Sequence, residues 1–390
     1  MPDDKRRVPA GAESWDAFVA ASAPRTGPPR AARGSMIYTS GTTGRPKGVR
    51  RQPSTPEQQA AGAQEAALFW GLKPDPAIVV LMNGPMYHSA PAAYGMASAR
   101  LGLHMVLQAR FEAADMLRLI ARHGVTHMHI VPTMFVRLLR LPAEVRARHD
   151  VSSLSFVSHG AAPCAPAVKR QMIEWWGPVI NEYYGATETG VVVWHGSEEA
   201  LRKPGTVGRL VPGGILRIVD EDGQDVKQGE IGEIYLRGPH LSEFTYNNDD
   251  AKRREISLGQ LVTVGDVGYV DADGFLFLCD RKRDMIISGG VNIYPAEIEG
   301  VLIQMPGVRD CAVFGIPDEE FGEQICAHVE PAAGASLDAA SVRAYLAEHL
   351  ARYKVPRVVE LTAALPREDS GKIFKRKLRA PYWEKAGRSI

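Results

Sequence analysis

The segment Tyr38-Thr39-Ser40-Gly41-Thr42-Thr43-Gly44-Arg45-Pro46-Lys47-Gly48 narrows the choice of folds more than any other part of this chain. It follows a short apolar lead-in, Met36-Ile37-Tyr38, and gathers the hydroxyls of Thr39, Ser40, Thr42 and Thr43 with three glycines and a lysine. A strand that runs into such a turn points successive backbone N–H groups one way, because glycine permits positive φ angles. The hydroxyls add donors and Lys47 adds a mobile positive charge, so the natural ligand of the concavity is a polyphosphate. The spacing is not that of a Walker A loop, which requires Gly-x-x-x-x-Gly-Lys-Ser/Thr. Here Gly41, Gly44 and Lys47 follow one another at intervals of three. Taken alone, the segment reads equally well as a flexible surface loop, and the rest of the chain has to decide.

The rest of the chain alternates short apolar runs with amphipathic stretches. Ala77–Met82 and Val125–Val131 read as strands. Ala113–Arg122 reads as a helix with Met116, Leu117 and Ile120 on one face, and Pro166–Trp175 as a helix opened by its proline. Such alternation predicts an α/β fold with a parallel sheet. Residues 1–34 form a polar lead-in with a short helix over Asp16–Ser22, and residues 35–282 a large domain. Within it the texture changes near Gly205. The strand-like runs Ile215–Val219, Glu233–Arg237 and Phe275–Leu278 are separated by Asp/Gly turns, so 204–279 is expected to be a small β-barrel or antiparallel subdomain. Residues 283–390 are expected to form a compact α+β C-terminal domain. Its helices are placed at Glu297–Leu302 and Ser341–His349, and its strands at Asp310–Phe314 and Gln324–His328. The charged run Asp280-Arg281-Lys282-Arg283-Asp284, which no core would bury, marks the boundary.

Charge and cysteine usage exclude several classes. With 46 basic and 45 acidic residues among 390, the net charge of +1 argues against a dedicated nucleic-acid binder. No apolar run reaches transmembrane length, and no apolar stretch follows the charged residues 1–7 as a signal peptide would require. Cys164, Cys279, Cys311 and Cys326 are scattered without a Cys-x-x-Cys pair, which fits reduced, mostly buried thiols in a cytoplasmic protein.

Five further segments carry chemistry. Asn181–Thr189 follows the apolar Pro178–Ile180, so a strand there delivers Thr187 and Glu188 to its C-terminal edge, where open α/β sheets bind ligands. A lone carboxylate beside hydroxyls suits Mg²⁺, which keeps waters and shares its shell with phosphates; the bland alternative is a polar loop. Ser158-His159-Gly160-Ala161-Ala162-Pro163 offers small residues against which a flat base can lie, or simply a tight turn. Asp266, after Val264-Gly265, can accept hydrogen bonds from a ribose diol or cap a turn. Gly289-Gly290 lets something thin pass close to the backbone, or makes a tight connection. Lys372 follows a Ser-Gly turn and supplies a compact charge able to neutralise a developing oxyanion. Its neighbours Lys375, Arg376, Lys377 and Arg379 read by default as a solvated basic helix. His123, His127 and His129 are not expected to hold a metal, since no Cys or acid accompanies them. Trp175-Trp176 reads as a helix end packed on the core.

Together and in this order, these segments resemble the adenylate-forming superfamily of acyl- and aryl-CoA synthetases, luciferases and peptide-synthetase adenylation domains. The resemblance runs from Tyr38 to Arg379, and Gly289–Glu299 is most similar to the acyl-CoA synthetases. It implies a large α/β domain with a β-barrel subdomain, followed by a mobile C-terminal domain. It also implies two half-reactions. A carboxylate, here a hydrophobic acid such as a fatty acid, attacks the α-phosphate of MgATP to give acyl-AMP and pyrophosphate. The thiol of CoA then takes the acyl group, giving acyl-CoA and AMP.

The resemblance carries the following roles. Thr39, Ser40, Gly41, Thr42, Thr43, Gly44 and Lys47 hold the β- and γ-phosphates. Thr187 touches phosphate and Glu188 holds Mg²⁺. Gly160, Ala161 and Ala162 line the adenine, with Tyr184 on its face and Gly185 among the nucleotide contacts. Asp266 takes the ribose hydroxyls, assisted by Arg281. Lys372 bridges carboxylate and α-phosphate. His88 lies beside the acyl site, whose walls include Tyr87, Gly190 and Val191. Arg283 falls at the hinge, where lysine or aspartate is usual, and rotation there brings Gly289 and Gly290 to the CoA tunnel. Val264 departs from the usual threonine. Family members also carry well over a hundred residues before the phosphate loop, against 37 here. A shortened chain, a completing partner chain and a reduced form of the family stay open on that count, as does a homo-oligomer. A shortened sheet is expected to expose an edge and apolar surface. An acid:carrier-protein ligase and a non-catalytic nucleotide-binding subunit remain as rival functions.

Overall fold

The computed structural model describes residues 13–24, 26–27, 36–39, 47–239, 242–367 and 373–386. Its strands in chain order are β1 (Met36–Thr39), β2 (Lys47–Arg51), β3 (Val79–Met82), β4 (His104–Leu107), β5 (His127–Ile130), β6 (Phe156–His159), β7 (Ile180–Ala186), β8 (Gly190–His195), β9 (Thr206–Leu210) and β10 (Ile215–Val219). They continue with β11 (Gly232–Arg237), β12 (Phe244–Tyr246), β13 (Ser257–Leu258), β14 (Leu261–Val270), β15 (Leu276–Arg281), β16 (Ile286–Ser288), β17 (Val291–Ile293), β18 (Val308–Asp318), β19 (Gly322–Pro331) and β20 (Val358–Leu361).

The parallel half of the main sheet has the order β4-β3-β5-β6-β7. Helices cover its strands, so both faces are buried: Val80 and Leu81 on the apolar β3 are fully buried, and every residue of β5 is buried, His127 and His129 included. The helix Ala113–His123 is capped by the Glu112 carboxylate, which accepts from the amide of Ala114, and it ends at Gly124 in the left-handed region. Its Met116, Leu117 and Ile120 are fully buried, as their spacing predicts. The helix Pro166–Trp176 carries its proline in the first turn, and Trp176 packs edge-on against Phe135 with centroids 6.1 Å apart. The short helix of the lead-in spans Trp15–Ala21. At the outer edge β4 pairs only with β3 among the described strands, and Leu107 there is 72% exposed.

Beyond β7 the pairing turns antiparallel and follows β8-β9-β15-β14-β11-β10. These strands curl back on themselves. Gly238, just past β11, donates its amide to Thr189 O, just before β8, at 2.9 Å. Val192, Val193, Ile218, Ile234, Leu236 and Leu276 fill the space enclosed. A barrel-like subdomain is therefore present, and it includes β8. A separate three-stranded sheet, β1-β2-β12, places the ends of the Gly/Thr-rich segment beside the main sheet.

The C-terminal sheet has the order β17-β16-β19-β18, with β20 parallel to β19. Ile286, Ile298, Leu302, Val313, Val329, Val342 and Leu346 form its core beneath the helices Pro295–Leu302 and Ala339–His349. The basic tail forms a helix over Lys375–Lys385. Only part of it is solvated: Arg376 and Lys377 are exposed, whereas Lys375 pairs with Glu299 at 2.7 Å and Trp383 Nε1 donates to Gly315 O at 3.1 Å. The inward residues recur at helical spacing, which the density of positive charge concealed. Side-chain contacts join the two large sheets' territories: Arg140 donates to the carbonyls of Val308, at 2.9 Å, and Arg309, and Asp280 Oδ2 accepts from the amide of Ala296 at 2.7 Å. No helix among the described residues is long and apolar enough to cross a membrane.

Candidate active site

Strand β7 carries the centre of the site. At its end Gly185 lies against β8 so closely that a Cβ there would sit 1.9 Å from Gly190 O, which only glycine avoids. The amide of Ala186 donates to Thr189 Oγ1 at 2.9 Å and tightens the turn that projects Thr187 and Glu188. The Thr187 hydroxyl meets Ser89 Oγ at 3.1 Å, at the start of the helix Ser89–Arg100. Glu188 Oε1 accepts from the Tyr246 hydroxyl at 2.9 Å. Burial, and then the charge of Glu188, push the Tyr246 phenol up, so it stays a donor. Lys47 Nζ lies 5.5 Å from the centre of the Tyr246 ring. Burial and the neighbouring Lys252 lower its pKa, against Asp249, Glu255 and Glu188. Thr39 and Lys47 are opposite residues of the β1–β2 pair. Ser40, Gly41, Thr42, Thr43 and Gly44 lie outside the described residues.

Three residues back along β7, roughly 10 Å away, Tyr184 donates its hydroxyl to Asp266 Oδ2 at 2.7 Å. Burial, followed by Asp266, raises the Tyr184 pKa well above the usual phenol value. Arg281 faces Asp266 across the β14–β15 pair, with Nε 3.4 Å from Oδ1. The expected ribose-side pair and the expected phosphate-side pair thus sit at two ends of one short stretch of strand.

The small-residue loop after β6 is built tightly. A Cβ at Gly160 would lie 2.8 Å from Tyr183 Cζ. Ala161 follows with φ of 68°, a left-handed backbone that costs a side-chain-bearing residue about 1–3 kcal/mol. Ala161 and Ala162 are exposed. Beneath this loop lies a buried ionic cluster. Lys169 contacts Glu182 Oε2, and His195 Nε2 lies 2.9 Å from the same oxygen. His159 Nδ1 is 4.0 Å from Glu182 Oε1. Burial alone would raise the Glu182 pKa, but Lys169, His159 and His195 overcome it and hold the carboxyl below its usual range. Burial pushes His159 down to about 3. His129 bonds the Tyr183 hydroxyl at 2.7 Å, and burial lowers it to about 4.

His88 stands at the N-cap position of the helix Ser89–Arg100, one residue from the Ser89–Thr187 contact, with its ring tilted on Tyr87. Gly289 and Gly290 form the β16–β17 turn with φ of 57° and 79°, and Gly289 N donates to Phe321 O in the β18–β19 turn at 2.8 Å. The Arg283 carbonyl accepts from Arg379 at 3.4 Å. Lys372 lies outside the described residues.

Ser89, Tyr246 and Arg51, which touch the Thr187-Glu188 turn, were not singled out by sequence reasoning. A signal existed for Arg51. It shares strand parity with Val49, which is 2% exposed, so a charge there points inward and needs partners.

A nucleotide-sized row of polar groups at the carboxyl end of a mixed sheet, followed by a separate α+β unit, is the layout of the adenylate-forming enzymes. The AMP-binding enzyme family model matches residues 6–244, and the AMP-binding enzyme C-terminal domain model matches 297–372. The chain belongs to the AMP-binding enzyme family. It is 35% identical over 365 residues to a medium/long-chain-fatty-acid–CoA ligase of Mycobacterium tuberculosis, covering 91% of this chain and 62% of the relative. Among solved structures it resembles an amide bond synthetase of Marinactinospora thermotolerans, with 31% identity, a TM-score of 0.77 and coverage of 88% of this chain and 68% of that one. It also resembles the o-succinylbenzoate CoA synthetase of Bacillus subtilis in complex with ATP and magnesium ion, with 32% identity, a TM-score of 0.76 and coverage of 88% and 69%. The chain thus spans about three fifths to two thirds of the length of these proteins.

Proposed function

We propose that this protein activates a hydrophobic carboxylic acid with ATP and passes the acyl group to CoA. The observation that carries the reading is the pairing of two polar stations on β7: Tyr184 with Asp266 and Arg281 at one end, Thr187 and Glu188 beside Lys47 at the other. Asp266 and Arg281 would take the ribose, and Gly160, Ala161, Ala162 and Gly185 the base and its sugar. Thr187, Lys47 and the segment Thr39–Gly44 would take the phosphates.

The donor set fits Mg²⁺: one carboxylate, hydroxyls, and no soft ligand at the turn. Glu188 would hold the ion, which supplies charge neutralisation at the phosphates. The acid's oxygen attacks the α-phosphorus, and the bond to the pyrophosphate oxygen breaks. In the second step the CoA sulfur attacks the acyl carbon, AMP leaves with both electrons of the C–O bond, and the thiol proton passes to solvent. The chain's own contribution is positioning and neutralisation. Lys372 would meet the charge that builds between carboxylate and α-phosphate. Rotation at Arg283, with the division between residues 282 and 283, would then replace Lys372 by Gly289 and Gly290 along the CoA path. His88 would border the acid. Similarity to a fatty-acid–CoA ligase supports a fatty acid, and a reaction that draws on ATP and CoA supports a cytoplasmic location.

Acid-dependent ATP–pyrophosphate exchange across a broad acid panel tests the first step, with Lys372→Ala and Glu188→Gln as controls that should abolish it. Absence of exchange with every acid rejects catalysis by this chain. CoA consumption without any carrier protein separates a CoA ligase from a carrier-protein ligase. The amide bond synthetase likeness adds an amine acceptor as the third outcome.

A further inference from the structure

Arg51 is the last residue of β2, the strand that leaves the Gly/Thr-rich segment. Its guanidinium reaches across to the turn after β7 and donates to the carbonyl oxygens of Thr187 and Glu188, the latter at 3.1 Å. Its other terminal nitrogen donates to Ser242 O at 2.8 Å, and its plane lies 5.8 Å from the Phe244 ring. Three carbonyls from two separate segments therefore converge on one planar fork. A carbonyl carries no net charge, so the cation is left with charge to spend on the nearest carboxylates, Glu188 and Glu243. The backbone of the turn is held from behind while its side chains face forward, Thr187 to Ser89 and Glu188 to Tyr246.

We propose that Arg51 is a positioning residue for the Thr187-Glu188 turn, fixing its two carbonyls so that the threonine hydroxyl and the carboxylate stay aimed at the metal and the terminal phosphates of ATP. This rests on the reading of the turn as the Mg·triphosphate end of the site. Guanidinium is the group for the task, because a fork with fixed donors can hold several acceptors at once, whereas an ammonium meets them one at a time.

The test compares wild type, Arg51→Met and Arg51→Lys by calorimetric titration with MgATP and, separately, with AMP, which lacks the β- and γ-phosphates. Hydrogen exchange of the amides around residues 186–190 is followed in parallel. Arg51→Met is expected to weaken MgATP binding at least about tenfold, the scale of losing charge-assisted hydrogen bonds, with AMP affinity changed less than about twofold and faster exchange in the turn. Arg51→Lys should fall between. Unchanged MgATP affinity in Arg51→Met overturns the proposal, and so does an equal loss of MgATP and AMP, which would mark a general structural role. If Arg51→Met does not fold, Arg51→Lys decides by the same two ligands. A wild-type protein that binds AMP but gains nothing from MgATP refutes the reading of the turn itself.

Discussion

Tyr184 donates to Asp266 across 2.7 Å although their strands, β7 and β14, stand four steps apart in the sheet order. In a flat sheet four steps would separate them by about 19 Å, beyond the combined reach of the two side chains. The contact exists because the antiparallel strands curl, and the curl carries the Asp266 carboxylate back over the end of β7.

Tyr184→Phe should therefore cost more than a surface hydroxyl would. Among the described residues, the Asp266 carboxylate would keep Arg281, at 3.4 Å. The expected loss is about 1–3 kcal/mol of unfolding free energy, measured by urea denaturation. If Asp266 holds the ribose as proposed, the ATP KM should rise several-fold while kcat changes less, because the pair would act on binding rather than on the reacting phosphorus.

Lys169 and Glu182 give a sharper contrast. Both side chains are at most 7% exposed, so removing one strands the other's charge. Lys169→Met is expected to destabilise by about 3–5 kcal/mol. Lys169→Met combined with Glu182→Leu should recover most of the loss in the same denaturation experiment, since no uncompensated charge remains.

Acid should unfold the protein through its buried histidines. His129 and His159 are held down to about 4 and about 3 from a usual 6.5. The folded state refuses protons that the unfolded chain accepts. Their contribution to stability is thus full above pH 6.5 and is lost progressively as pH falls towards those values. Glu182, held below its usual 4.5, adds to the loss in the same direction at lower pH. Urea midpoints recorded from neutral pH downward check this, and His129→Gln with His159→Gln should flatten the upper part of the profile.

Gly185→Ala tests the close approach of β7 and β8. With Gly190 O only 1.9 Å from the new carbon, the strands must part. A cost of about 1–3 kcal/mol is expected, together with loss of MgATP binding, because the displaced turn carries Thr187 and Glu188. A Gly190→Ala control would not discriminate, since Gly190 itself has φ of 69°.

The sequence made the parallel half easy to read. The continuous apolar run of β3 and the 3.6-residue stripe of Met116, Leu117 and Ile120 each have one low-energy solution. It also exposed the residues that chemistry singles out by type, such as Thr187, Glu188 and Asp266. It did not show which of these meet. The Tyr184–Asp266 contact depends on curl summed over several strands, and Tyr246 reaches Glu188 from 58 residues away. Arg51 stands beside exposed Arg50, and the partners that fix its direction, the Thr187 and Glu188 carbonyls, lie far along the chain. Lys375 was hidden the same way, inside a basic run whose inward face is set by Glu299.

Strand β7 is also where the sheet changes sense: β6 runs parallel to it and β8 antiparallel. Any shear between the two halves of the large domain must pass through this seam, and the seam is the floor of the nucleotide seat proposed above. A bound nucleotide would act as a splint across the joint, so occupancy should stiffen the whole body, including regions the ligand never touches.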